Sequence, residues 1–208
     1  MLYNARYIKG DEEMAPRPKV TREMIMDAAV AVIRSSGVEA VNARTVAGCL
    51  GCSTQPVLYH FSSMDELKKA VYEHADRLHT DYLMRSGGER DPLLEIGLNY
   101  IRFAIEEPGL FRFLFQSGYA RETSLTEMID SPELTPVLSA MGEGLGMDGE
   151  RTKKVFLTAA LFAHGYASLI ANNNLRFDAD TVAADLERAF TGAVMAVKQE
   201  KIGNEEVF

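Results

Sequence analysis

Residues 42–61 confine what this chain can fold into more than any other stretch. Asn42 is a helix-capping residue, and Val46, Ala47 and Leu50 follow it at helical spacing. Gly51 supplies a sharp turn. Ser53 is then placed to cap a further helix from Thr54, with Pro56 in the first turn, where a missing N–H costs nothing. A short capped helix, a tight turn and a second capped helix make a helix-turn-helix. The sequence also supplies a helix to cover this pair. Ile25, Ala28, Ala29, Val32 and Ile33 line one helical face, Thr21 can cap its start, and Gly37 can supply a left-handed residue past its end.

The remainder reads as helices too. Ser63 and Glu66 form a capping box for a long fourth helix ending near Gly87-Gly88. Asp91-Pro92 opens a helix that stops before Pro108. Gly109–Gly118 is a short aromatic helix, Ser124 and Glu127 make a second capping box, and Thr135–Gly144 is helical. Asp148 is expected to cap a long helix to about Ala171, and Asp180 the last one, with Val182, Leu186, Ala189, Phe190, Ala193, Val194 and Val197 at helical spacing. No segment alternates with period two, so the fold class expected is all-α. The expected plan is a mobile arm over 1–16, a three-helix helix-turn-helix domain over 17–69, and a helical ligand and dimerisation domain over 70–208. Met14-Ala-Pro-Arg-Pro-Lys resembles a natural chain start, which would make the first thirteen residues an upstream extension.

Composition narrows the class. The 208 residues are 47% apolar and 25% charged, which excludes a wholly disordered chain and fits one or two globular domains. Two cysteines cannot staple a secreted framework, and no signal peptide is recognisable. The 17-residue run Val155–Ala171 carries no charge, but it is short of the ~20 residues of a membrane span and is interrupted by Thr158, His164 and Ser168, so a buried helix is expected. These readings point to a cytoplasmic protein without membrane association. The net charge of −8 disfavours nucleic acid at first sight. Its distribution does not. Residues 17–69 hold seven basic and five acidic groups, a net of +2, while 70–208 hold 13 and 22, a net of −9. An anion-binding module on an acidic body has this asymmetry.

Val57 and Phe61 lie four apart and are expected to face inward onto Ile33 and Val46. Thr54, Gln55, Leu58 and Tyr59 are then left facing outward. Gln can bond adenine N6 and N7 together, Thr offers a hydroxyl or methyl to base edges, and an apolar Leu58 suits a thymine methyl. The helix start and the Ser53 and Thr54 hydroxyls suit a phosphate. The full set expected on double-stranded DNA is Lys19, Arg44, Thr45, Ser53, Thr54, Gln55, Leu58, Tyr59 and His60.

Residues 21–67 resemble the DNA-binding domain of the TetR-type transcriptional repressors. The matching string is Ile25, Ala28-Ala29, Ile33, Gly37, Val46-Ala47, Gly51-Cys52-Ser53, His60-Phe61, Ser63, Asp65 and Leu67. Phe162-Ala163-His164-Gly165-Tyr166-Ala167 and Leu169 resemble a segment of the dimerisation helix in one branch of that family. The resemblance implies an all-α homodimer, a palindromic operator with two half-sites, and release from DNA when a small effector enters the C-terminal domain. Two positions depart from the family pattern. Leu58 stands where a Tyr is usual, with Tyr59 next to it, and Met64 stands where a Lys is usual. Both family residues typically contact phosphate.

Other features carry competing readings. Cys49 and Cys52 have C-x-x-C spacing, but there is no second pair, and both match small buried positions of the family pattern. His164 could orient a ligand or simply pack. Phe111, Phe113, Phe115 and Tyr119 are too crowded for one buried face, so part of the group is expected to line a pocket. Glu106-Glu107 reads as a solvated helix end. The expected effector site is apolar and aromatic, lined from Tyr100, Phe103, Phe115, Met141, His164 and Tyr166. Ala159, Ala160, Ala163, Gly165 and Ala167 make a small-sided helix suited to a four-helix dimer seam, with an intramolecular core as the alternative. No catalytic constellation, phosphate loop, metal set or cofactor motif is recognisable, so an enzyme is not expected. The rival classes are a helical protein-binding adaptor and an all-α enzyme using the C-terminal cavity.

Overall fold

A computed structural model describes residues 19–85, 92–119, 124–173 and 176–205. Within these residues there are ten α-helices and no strand. The helices are α1 (Arg22–Ser36), α2 (Ala43–Cys49), α3 (Gln55–His60), α4 (Met64–Leu83), α5 (Pro92–Glu106), α6 (Pro108–Gln116), α7 (Leu125–Ile129), α8 (Thr135–Leu145), α9 (Gly149–Asn173) and α10 (Ala179–Glu205). Single 3-10 turns fill Val38–Ala40 and Pro132–Leu134. The expected arm and the Met14 start lie outside the described residues.

Local capping chemistry sets most helix starts. Thr21 accepts from the Met24 N–H, Asn42 from Arg44 and Thr45, Ser63 from Glu66, and Asp148 from Arg151. Gly37 has φ 79°, a left-sided backbone that costs a side chain more than glycine. Three expected starts differ. α3 begins at Gln55, its N-cap is Thr54 in helical geometry, and neither Thr54 nor Ser53 closes a side-chain cap on it. Asp178, not Asp180, caps α10 by accepting from Thr181 at 2.8 Å. The Glu66 carboxylate reaches back to the Ser62 N–H at 2.8 Å rather than to Ser63, so the expected capping box is displaced by one residue. α4 also stops at Leu83, short of Gly87-Gly88, which lie outside the described residues.

One continuous apolar cluster links nearly all the helices. Ile25 and Ile33 of α1, Val46 of α2, Val57 of α3, Phe61 just past its end, and Leu67 of α4 are at most 1% exposed. The same cluster runs on through Val71 and Ala75, the α5 residues Leu98 and Ile101, Phe111 and Phe113 of α6, and Ala163, Ala167 and Leu186. Each such Leu, Ile or Phe withdrawn from water contributes about 1.5–3 kcal/mol. A smaller cluster joins Met141, Val155, Ala193 and Val197. The expected domain boundary at 69/70 falls inside α4, a single unbroken helix. Asn99 of α5 ties off that helix by donating to the carbonyls of Leu83 and Arg85 at 3.1 and 2.9 Å. α9 lies along both α5 and α10. By length and composition, at a mean hydropathy of 1.4, α9 could cross a membrane.

Ala163 and Ala167 are buried within the protomer, so the intramolecular reading holds for these two. Of Ala159, Ala160, Ala163, Gly165 and Ala167, Gly165 is the exposed one. The outer face of α9 is instead Thr158, Leu161, Gly165 and Leu169, with Leu161 46% and Leu169 56% exposed.

Candidate functional site

α2 and α3 are held as a unit from three sides. Val57 and Phe61 are buried beside Ile33 and Val46, as their spacing predicts. The turn closes through Cys52 N–H to the Ala47 carbonyl at 3.1 Å, and Gly51 takes φ 63°. Arg22 fixes the far end. Its guanidinium donates to the His60 carbonyl at 3.1 Å, lies 4.2 Å from the centre of the Phe61 ring, and pairs with Glu66 at 3.4 Å. Sequence reasoning passed over Arg22, because its role depends on three residues some forty positions away.

What this unit presents outward is Thr54, Gln55, Leu58 and Tyr59, all exposed, with Leu58 at 57% and Tyr59 at 81%. Ser53, Lys19 and Arg44 are exposed as well. Two members of the expected DNA set are committed elsewhere. Thr45 Oγ1 lies 2.8 Å from the Ala40 carbonyl and accepts from the Asn42 N–H, completing the cap of α2. His60 Nε2 is 3.1 Å from the Val20 carbonyl and is half-buried, so it anchors the end of α3 to the segment before α1. Met64 packs partly against the core rather than standing on the outer face. Cys49 is exposed and Cys52 half-buried, and both are free, which corrects the expectation of two buried small residues.

The second candidate site lies in the helical body. Four of its six expected residues come together: Tyr100, Phe103, Phe115 and His164. Phe111 joins them, its ring 5.1 Å from Phe115 and 5.7 Å from His164. At the centre is a residue the sequence reading missed, His79 of α4. Its ring lies 4.8 Å from Phe103, 5.2 Å from Phe115 and 5.5 Å from Tyr100, centre to centre. The signal was available, because Leu67, Val71, Ala75 and His79 follow one another at four-residue steps on the buried stripe of α4. Burial lowers the His79 pKa to about 4, so the imidazole is neutral near pH 7. Burial likewise raises the Tyr100 hydroxyl and lowers His164. Tyr100 Oη is 2.8 Å from His164 Nδ1, and His164 Nε2 is 3.2 Å from Ser168 Oγ.

Two expected lining residues do not join this group. Met141 sits in the smaller cluster with Val155, Ala193 and Val197, because α8 packs near the start of α9. Tyr166 lies tilted against Phe162, ring centres 5.8 Å apart, and points its hydroxyl to Asp185 at 3.4 Å. The aromatic run of α6 divides between two faces. Phe111 and Phe115 meet the His79 group, and Phe113 meets Tyr72 and Tyr119. Glu106 is exposed and Glu107 half-buried, as expected of a helix end, and each also has a protein partner, the Tyr82 hydroxyl and Arg34 respectively. A separate depression of about 420 Å³ lies between α7, α8 and the start of α9, and none of the six expected residues lines it.

Residues 93–194 match the tetracyclin repressor-like C-terminal domain family. No curated protein sequence matches the chain. Among solved structures, a TetR-family transcriptional regulator from Streptomyces coelicolor superposes with a TM-score of 0.64 at 18% identity, over 88% of this chain and 85% of that one. A further TetR-family member from Streptomyces coelicolor A3 gives 0.54 at 19% identity, over 81% and 96%. A transcriptional regulator from Rhodococcus sp. Rha1 gives 0.53 at 18% identity, over 87% and 97%. These likenesses establish the all-α fold, and the match over 93–194 carries the helical body, to which α4 joins the helix-turn-helix. Residues 93–194 place the body of this chain in the tetracyclin repressor-like C-terminal domain family, on a fold shared with TetR-family transcriptional regulators.

Proposed function

We propose that this chain is a homodimeric repressor that holds a palindromic operator through α2 and α3 and releases it when a small, uncharged aromatic effector enters the body. The observation that carries the reading is the outer face of α3. Leu58 and Tyr59 stand 57% and 81% exposed on a helix whose inner face and far end are fixed. Rigid placement of large, water-exposed side chains is costly unless a partner covers them. Gln55 beside them supplies the paired donor and acceptor that reads adenine, and exposed Lys19, Arg44, Ser53 and Thr54 are available for phosphate. The unit to domain division is α1–α3 with the first turns of α4 as reader, and the rest of α4 onward as body.

Two readers of one dimer must sit about 34–36 Å apart, or a multiple of it, to meet successive turns of DNA. The apolar outer stripe of α9, Leu161, Gly165 and Leu169, is the proposed seam. An effector that binds the released state better than the DNA-bound state shifts the spacing by mass action. No catalytic role is proposed for the body.

The test is selection from random duplex DNA, followed by anisotropy titration at several salt concentrations. The expected result is a gapped palindrome whose affinity falls linearly with salt on logarithmic axes. Gln55→Ala should lose about 1–3 kcal/mol of discrimination at one base position per half-site. Exposed Leu58 next to Tyr59 also suits a protein partner, and binding that shows no salt slope and no sequence preference would favour that adaptor reading instead.

A further inference from the structure

The buried stripe of α4 contains one polar intruder. Leu67, Val71 and Ala75 are fully buried and apolar, while His79, one turn on, is only 6% exposed. Its Nε2 has no hydrogen-bond partner. Buried ring nitrogens are nearly always paired, so an orphan aimed into a cluster of rings calls for an explanation. The three rings touching it, Phe103, Phe115 and Tyr100, carry no charge. Tyr100 does not satisfy it, its hydroxyl being engaged with His164 Nδ1 at 2.8 Å. The cluster is not sealed, since Tyr100, Phe115 and His164 each keep part of their surface exposed.

We propose that His79 Nε2 is the specificity-determining atom of the effector site, and that it takes the hydroxyl of an uncharged phenol whose ring packs among Phe103, Phe115 and Tyr100. This inference rests on the effector reading above and names its ligand class. The walls suit a flat ring edge to face. A hydroxyl both donates and accepts, so it satisfies the imidazole in either tautomer. Carboxylates are disfavoured, because the contacting rings supply no counter-charge for an anion taken out of water, and a quaternary ammonium, although ring faces attract cations, leaves the His79 Nε2 unpaired. The Tyr100–His164–Ser168 chain holds the second wall upright and keeps the Tyr100 hydroxyl from competing for His79.

The experiment is calorimetric titration of the full chain, without DNA, with phenol, toluene, benzoate and phenyltrimethylammonium. Phenol should bind about tenfold tighter than toluene, the worth of one buried hydrogen bond, and the two ions weaker than phenol. His79→Phe keeps an aromatic ring in the cluster and should bring phenol down to the toluene level. His79→Gln retains a hydrogen-bonding group and should keep part of the preference. In the parent protein, ¹⁵N-labelled histidine should show the His79 ring signal moving on addition of phenol, a readout independent of any variant's folding. A phenol preference that survives in His79→Phe, phenol no tighter than toluene, tighter binding of either ion, or an unmoved His79 signal would each overturn the assignment. Operator binding is read separately. Phenol bound through His79 in a chain that binds no operator sinks the repressor reading and leaves the site, and an operator released by other compounds with His79 untouched does the reverse.

Discussion

Arg34, near the end of α1, donates its Nε to Glu107, the residue immediately before α6, at 2.8 Å. The pair ties the helix that covers the reader to the helix that carries Phe111 and Phe115. Beneath it the two backbones nearly touch. A Cβ placed on Gly109 would lie 2.7 Å from the Ile33 carbonyl oxygen and 3.1 Å from Arg34 Cα. Both pair members are partly exposed, so the ion pair itself contributes well under about 1 kcal/mol. The close backbone approach is the stronger constraint.

Gly109→Ala should therefore destabilise the chain by about 1–3 kcal/mol, because neither backbone atom can move aside cheaply. Gly144→Ala is the control. That glycine is helical and has nothing within 4 Å of its Cβ position, so alanine should stabilise by up to about 1 kcal/mol. Urea melts of the two variants should move in opposite directions.

His79 makes stability depend on pH with a defined sign. Its pKa in the folded chain is about 4, below the ordinary value of 6.5, so between these limits the unfolded chain binds the extra proton. Stability is full above about pH 6.5 and is lost as pH falls toward 4, by an amount on the order of 3 kcal/mol. His164, across Tyr100 from it, is shifted the same way and adds to the slope. His79→Phe should flatten the acid limb of a stability-against-pH curve and raise the melting temperature at pH 5. An unchanged acid limb would contradict it.

The proposed seam predicts a separation of dimer from fold. Leu161 is 46% exposed in the protomer, so Leu161→Glu should leave the helical circular dichroism intact. It should nevertheless convert a sedimenting dimer to monomer, since an unpaired carboxylate in a closed seam is costly. Ala163→Glu is a poor test, because Ala163 is buried inside the protomer and the substitution would damage the fold first.

Arg22 and Gln55 should fail in different ways. Arg22→Ala frees the end of α3 from its His60 and Phe61 contacts, so operator affinity should fall alike for every base substitution, with a stability loss of about 1–2 kcal/mol. Gln55→Ala should leave the stability within about 0.5 kcal/mol of the parent and relax one base position. Parallel melts and anisotropy titrations separate the two.

Most helix starts were legible from the capping residue. Thr21, Asn42, Ser63 and Asp148 each accept from the expected N–H, because a cap is a contact within three residues. Where two candidates stood close together, as with Ser53-Thr54 and Asp178 with Asp180, local chemistry did not choose between them. The inner and outer faces of α3 followed from the spacing of Val57 and Phe61. The effector group was only half legible. Aromatic surplus marked α5 and α6, but which rings meet depends on how helices cross, and Met141 was lost to another cluster for that reason. His79 was legible as a buried position, from its four-residue step beyond Leu67, Val71 and Ala75, but its ring neighbours on α5 and α6 were not. The small residues of α9 could serve either an inner or an outer contact, and only the packing of α5 and α10 against them decided it.

The unbroken apolar cluster from α1 to Leu186 makes the reader and the body one cooperative folding unit. No polar layer separates them where the chain could open on one side alone. Free energy gained by filling the body is then shared with the amides of α1 and Val57, whose slowest hydrogen exchange would require opening of the whole. In such a chain the occupancy of a remote cluster is written into the protection of the helix proposed to meet DNA, whether or not any backbone atom has moved.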